Sequence, residues 1–385
     1  MTTRDDDAVQ FGVDTFGDVT RAEGGRPVPM PRVIRDVVEE AVLADEVGLD
    51  AFGLGEHHRA DFAVTAPDVV LAAAAARTSR ITLGSAVTVL SSDDPVRVFE
   101  RFATLDAVSD GRAEVTLGRG SFTESFPLFG YDLSQYETLF EEKLDLFSRL
   151  LGEGPVSWSG TVRPTLDEQH AYPKTASGRL PTWVGVGGSP QSVVRAASYG
   201  LPMMLAVIGG DPARFAPYAD LYRRALTQLG APALPIGVHS PGLVAETDDE
   251  AREVLFADYS AMRDRIGAER GWPRTSRREY DAEIDQGSLY VGSPETVARK
   301  IAATVRALGA QRFDLKYSAG ALPHPVLMRT IELYGTRVVP RVRELLADAR
   351  VGAAPAQLTA ASRVAGRAAS PRVVLGDASS GSRRW

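Results

Sequence analysis

The 385-residue sequence contains no cysteine, which excludes disulfides, thiolate metal sites and thiol nucleophiles. Redox chemistry in such a chain has to come from a bound cofactor. Basic excess is missing too: 43 Lys and Arg stand against 50 Asp and Glu, a formal charge of −7. The chain therefore lacks the composition of a nucleic-acid or anionic-membrane surface. Lysine is scarce, at four of those 43 cations, an Arg-heavy usage typical of GC-rich bacterial coding. Long apolar runs are absent as well. The longest, Val69 to Ala76, is far below the roughly 20 residues of a membrane span. The acidic start MTTRDDDAVQ has no signal-peptide core, so a cytoplasmic enzyme is expected.

What is present is a 44% hydrophobic, 24% charged composition, that of a globular protein with a substantial core. Short β-type runs alternate with segments of helical period about eight times. Strands are expected at Phe11 to Phe16, Ala51 to Gly55, Ile81 to Leu90, Ala113 to Gly118, Thr182 to Val186, Pro202 to Ile208, Pro235 to Ala245 and Arg312 to Tyr317. Helices are expected between them, with Asp248 to Ile266 followed by a charged insertion, Gly267 to Gln286. Gly152 to Pro181 reads as a Pro- and Gly-punctuated excursion, and Pro325 to Ala347 as a closing helix. Eight βα units without a composition break close most simply as one (β/α)₈ TIM barrel over residues 1–350. A doubly wound sheet with a second domain is the fallback. From about Val351 to Trp385, Ala, Ser, Gly and Arg predominate without periodicity, the composition of a disordered tail.

In such a barrel the residues just after each strand form the active-site mouth. Gly55-Glu56-His57-His58 follows the second strand; adjacent side chains on extended backbone diverge, so one imidazole at most faces the mouth. That histidine is either a hydrogen-bonded structural group or a general base. Gly118-Arg119-Gly120-Ser121 follows the fourth strand, where an Arg between glycines can reach an anion or simply sit in a tight turn. Val186-Gly187-Gly188-Ser189-Pro190-Gln191-Ser192 follows the fifth and reads as an N-cap with exposed amides at a positive helix end, a phosphate cradle. The same cap grammar at Gly292-Ser293-Pro294-Glu295 keeps plain capping open as an explanation. Gly84-Ser85-Ala86-Val87 in the third strand admits a flat ligand or a bulge. Phe122, Phe126, Phe129 and Tyr131 form an aromatic loop that could wall a pocket or pack a core.

Together these pieces resemble the bacterial luciferase-like family of flavin-dependent monooxygenases. The likeness runs from about Gln10 to Leu346 and is carried by LGEHH at Leu54 to His58, ITLGSAVTVL and DPVRVFE within Ile81 to Glu100, and DGRAEVTLGRG at Asp110 to Gly120. FGYD at Phe129 to Asp132 and VGGSPQSVVRAASYGLPM at Val186 to Met203 extend it. The resemblance implies reduced FMN at the C-terminal mouth, its phosphate held by Arg119 and the Gly187, Gly188, Ser189 and Ser192 segment. It implies contact of the flavin ring with Ser85, Ala86 and Val87, and a non-proline cis peptide at Ala86–Val87. His57 takes the place of the family's catalytic histidine, with Glu56 as its neighbour. One departure stands out: luciferase proper carries a reactive cysteine where this chain has Gly118, so light emission is not implied.

The activity implied is transfer of oxygen from O₂ to a small organic substrate, with Ser121 to Tyr131 and Gly267 to Gln286 as candidate lids. A separate NAD(P)H:flavin reductase would supply reduced FMN, since the chain has no Gly-x-Gly-x-x-Gly fingerprint of its own. A homodimer paired through helices beside the second and third strands is implied as well. The alternatives are hydride transfer with a deazaflavin cofactor, a non-catalytic flavin-binding protein, and more remotely an aldolase using Lys316. No metal site is expected.

Overall fold

The computed structural model describes residues 8–352 apart from Glu23 and Ser121. Eight parallel strands are β1 Gln10–Thr15, β2 Ala51–Leu54, β3 Thr82–Ser85, β4 Ala113–Gly118, β5 Thr182–Val186, β6 Met203–Ala206, β7 Ile236–Val244 and β8 Arg312–Lys316. Each pairs with the next, and β8 returns to β1 in register Gly12 with Asp314, which closes a barrel. The expected (β/α)₈ fold is therefore the one observed.

The helices around the barrel include α1 Met30–Glu46, α2 Pro67–Ala75, α3 Pro95–Val108, α4 Tyr136–Leu150, α5 Pro190–Ser198, α6 Ala216–Gln228, α7 Asp248–Arg270, α8 Arg277–Asp285, α9 Pro294–Leu308 and α10 His324–Leu333. Local sequence explains their limits. Asp94 caps α3 by accepting from the amides of Val96 and Arg97, with Pro95 in the first turn. α4 turns Leu139, Phe140, Leu144, Leu146, Phe147 and Leu150 inward. Full burial of each such side chain contributes about 1.5–3 kcal/mol.

Alternation along the strands divides two environments. Phe11, Val13, Val115, Leu117, Val184, Val186, Phe313 and Leu315 are buried in the hydrophobic core. The alternate positions Asp14, Glu114, Trp183, His239, Arg312 and Asp314 meet one another across the barrel interior.

Several expectations change. The third strand stops at Ser85 and resumes only at Thr88–Val89, on either side of the Ala86–Val87 peptide bond, which is cis as the resemblance implied. Four of the residues expected in the insertion Gly267 to Gln286 continue α7 to Arg270, and α8 occupies much of the remainder. Ser276 and Glu279 form a capping box that starts α8. The excursion carries a hairpin, Val156–Trp158 with Leu166–Gln169. The closing helix passes through a π-helical segment, Tyr334–Val338, before continuing as Val339–Gly352. The expected tail from Val351 lies outside the described residues apart from that helix end. No helix among the described residues is long and apolar enough to cross a membrane.

Candidate active site at the barrel mouth

His57 follows β2 and is 9% exposed, enclosed by Phe16, Phe62 and Phe122 at ring-centroid distances of 4.7, 4.7 and 4.9 Å. Its amide donates to the Val64 carbonyl at 3.2 Å. Burial pushes the imidazole down to about 3, with Lys316, Arg59 and His58 adding to the effect and Asp18 opposing it. His57 is therefore neutral at neutral pH. Glu124 approaches its Nδ1 only to 4.0 Å.

Glu56 points elsewhere. One carboxylate oxygen lies 2.9 Å from His58 Nε2, and the other accepts from the Val89 amide at 3.0 Å. The structure thus pairs Glu56 with the second histidine and with the edge of the interrupted third strand, not with His57. Ser85 is likewise committed to the wall: its hydroxyl donates to the Thr116 carbonyl and accepts from the Thr116 amide, both at 3.1 Å. Ala86 and Val87 remain partly open. Gly118 gives Val87 its room, since a Cβ there would lie 2.4 Å from Val87 Cγ2.

The residues expected at the phosphate end do converge. Arg119 donates to Ser192 Oγ at 3.3 Å, and Ser192 Oγ lies 2.8 Å from Ser189 Oγ. Ser189 caps α5 by accepting from the Ser192 amide. Gly188 sits at φ 92°, a left-handed conformation that favours glycine at this turn. Ser293, by contrast, makes no side-chain cap. The guanidinium of Arg119 stacks 5.3 Å from the Tyr136 ring. It also pairs with Glu137, whose carboxylate bridges to Arg195. A guanidinium, two hydroxyls and the N-terminal amides of a helix are the donor set for a phosphate monoester, and Glu137 already places an anion on Arg119. Ser121 lies outside the described residues.

The two expected lids meet beside His57. Phe122 lies under the guanidinium groups of Arg59 and Arg270, at 4.7 and 5.4 Å, and Arg59 pairs with Glu269.

Sequence reading missed the charged barrel interior. Arg312 donates to Glu114 at 2.6 Å and to Asp314 at 2.9 Å, and the Trp183 indole donates to Glu114 at 3.2 Å. Burial pushes the Asp314 carboxyl up to about 6 against the pull of Arg312. Lys316 is buried, lies 4.4 Å from the Phe16 ring and pairs with Asp18 at 3.2 Å. The one available signal was the alternation of Arg312, Asp314 and Lys316 in a strand whose other face is apolar.

Residues 10–312 match the model of the luciferase-like monooxygenase family. The chain belongs to that family. It is 28% identical over 322 residues to 4-hydroxyprotoasukamycin monooxygenase of Streptomyces nodosus subsp. asukaensis, covering 79% of this chain and 85% of that one. Among solved structures it resembles the oxygenating constituent of 3,6-diketocamphane monooxygenase of Pseudomonas putida in complex with FMN, with TM-score 0.71 and 19% identity over 87% of this chain and 99% of that one. It also resembles an F420-dependent secondary alcohol dehydrogenase in complex with an F420-acetone adduct, with TM-score 0.69 and 19% identity over 87% and 99% of the two chains. These likenesses fix the fold, and membership makes the chain a relative of monooxygenases.

Proposed function

We propose that this luciferase-like protein is an FMN-dependent monooxygenase acting on a small organic substrate. The observation that carries this reading is the convergence of Arg119, Ser189 and Ser192 at the start of α5, on the same barrel mouth as His57. Reduced FMN bound there would supply the electrons that activate O₂, one oxygen atom passing to the substrate and the other to water. Arg119 and the two hydroxyls hold the phosphate. Ala86 and Val87, partly open, line the ring site with Gly187 and Gly188 leading to the phosphate. His57, kept neutral by its phenyl cage, serves as proton acceptor, while Phe16, Phe62 and Phe122 exclude water around it. Glu56 acts as a positioning residue through His58 and Val89.

Reduced FMN would come from a separate NAD(P)H:flavin reductase, in a cytoplasmic setting. The likeness to the F420-dependent dehydrogenase supports a second reading, hydride transfer with a deazaflavin, because the phosphate-binding groups suit either cofactor.

Anaerobic titration with reduced FMN, oxidised FMN and the deazaflavin separates the two. Reduced FMN is expected to bind best, and Arg119→Ala to weaken it roughly ten- to hundredfold, the loss of one charge-assisted contact. Glu137→Gln is expected to tighten binding by removing the competing carboxylate. Preference for the deazaflavin would replace the monooxygenase reading with hydride transfer, and no binding of either would reject both.

A further inference from the structure

A second histidine lies below the mouth. His239, midway along β7, places Nδ1 2.8 Å from Asp14 Oδ2 on β1. Its side chain is 13% exposed while its neighbours Val238 and Ser240 are at 0%. With the outer face of the strand closed, that opening is toward the barrel lumen, where its register partner Ala206 on β6 is also partly open. Asp14 is 1% exposed, and its other carboxylate oxygen has no hydrogen-bond partner. An ionised carboxylate only accepts, so the shared proton sits on Nδ1 and the imidazole turns Nε2 to the lumen. No hydrogen bond among the described residues takes that Nε2.

The two histidines share one aromatic ring. His239 stacks on Phe16 at 6.1 Å and 14°, and His57 meets the same ring edge-on at 4.7 Å. Their surroundings differ in charge. Asp14 from β1 and Asp314 from β8 face His239 and together outweigh burial and Lys316, so its pKa is raised. His57 has no carboxylate in hydrogen-bond contact, and burial holds it neutral. Paired groups with environments that separate their protonation states mark an acid and a base.

We infer that His239 and Asp14 form an acid–base dyad that presents a proton, on His239 Nε2, to an oxygen of the small ligand bound in the mouth. In the transfer the Nε2–H bond breaks and an O–H bond forms on a ligand oxyanion. The imidazole is left neutral with its Nδ1–H still on Asp14, and solvent restores the proton. The inference rests on the proposed function for the identity of the ligand, but the dyad stands on its own geometry.

The test uses long-range ¹H–¹⁵N NMR of the full chain between pH 5 and 9. With five histidines in the sequence, single His→Gln variants assign every ring. His239 is expected to titrate above the ordinary histidine value, and Asp14→Asn to lower it by about one unit or more. Should Asp14→Asn not fold, the unsubstituted protein still decides: His239 titrating at or below the ordinary value overturns the dyad. Saturation with oxidised FMN is then expected to shift the His239 Nε2 resonance. FMN that binds, by fluorescence, and leaves Nε2 unmoved overturns the placement of the donor at the ligand. If neither FMN nor the deazaflavin binds, the functional reading fails separately, and the His239 titration alone upholds or rejects the dyad.

Discussion

Glu40 shows how one buried side chain sets the pH dependence of stability. It lies on α1, 2% exposed, and accepts from the Tyr317 hydroxyl at 2.5 Å, with His324 Nε2 at 3.5 Å. Burial pushes its carboxyl up to about 8, against the hydrogen bond from Tyr317. A group whose folded pKa lies above its unfolded value contributes fully below the unfolded value, near 4.5, and its contribution is lost as pH rises through about 8. Glu40→Gln is therefore expected to match the parent near pH 4.5 and to exceed it in denaturant midpoint at pH 8. His57 works in the opposite sense, its contribution fading as pH falls from 6.5 toward 3. In the barrel interior, Arg312→Ala strands Glu114 and Asp314 without their cation. Urea unfolding at pH 7 is expected to show a loss of about 3–5 kcal/mol, the usual cost of breaking a buried ion pair from one side.

At the scale of single elements, α8 is held by its start. Ser276 accepts from the Glu279 amide, and Glu279 accepts from the Ser276 amide at 3.0 Å. Ser276→Ala is expected to cost about 1 kcal/mol, with local hydrogen exchange rising across Arg277–Asp285. The S-x-x-E pattern was legible in the sequence, yet its charged surroundings made the segment read as an insertion. The third strand failed for the reverse reason. Its residues from Ile81 to Leu90 are mostly β formers, and only Gly84, Ser85 and Ala86 mark a weak stretch; overall β character made the run read as one strand, although it breaks at Ala86–Val87. Room for Val87 comes from Gly118 on β4, a contact between separate strands.

For the molecule as a whole, a homodimer of the kind the family resemblance implies would use the outer faces of α2 and α3. Val69 and Val108 stand there 65% and 53% exposed, bordering a groove of about 520 Å³ that Tyr172 also lines. Sedimentation velocity is expected to report a dimer for the parent and a monomer for Val69→Asp combined with Val108→Asp, with unchanged circular dichroism. A monomeric parent would reject the dimer. A stable pair of this kind needs roughly 1,000 Å² or more of buried surface.

The sequence by itself determined the barrel, because eight alternations of strand and helix periodicity are local signals and parallel strands joined by helices have few ways to close. It also brought Arg119, Ser189 and Ser192 into view, since turn glycines, an N-cap and a first-turn proline are written in consecutive residues. Only the tertiary structure decided which histidine is caged by phenyl rings, that Glu56 serves His58, and that Ser85 is spent on Thr116. The interior pairs of Arg312 with Glu114 and of His239 with Asp14 join positions 198 and 225 residues apart. No local pattern carries such pairings, because the closure of the barrel creates them.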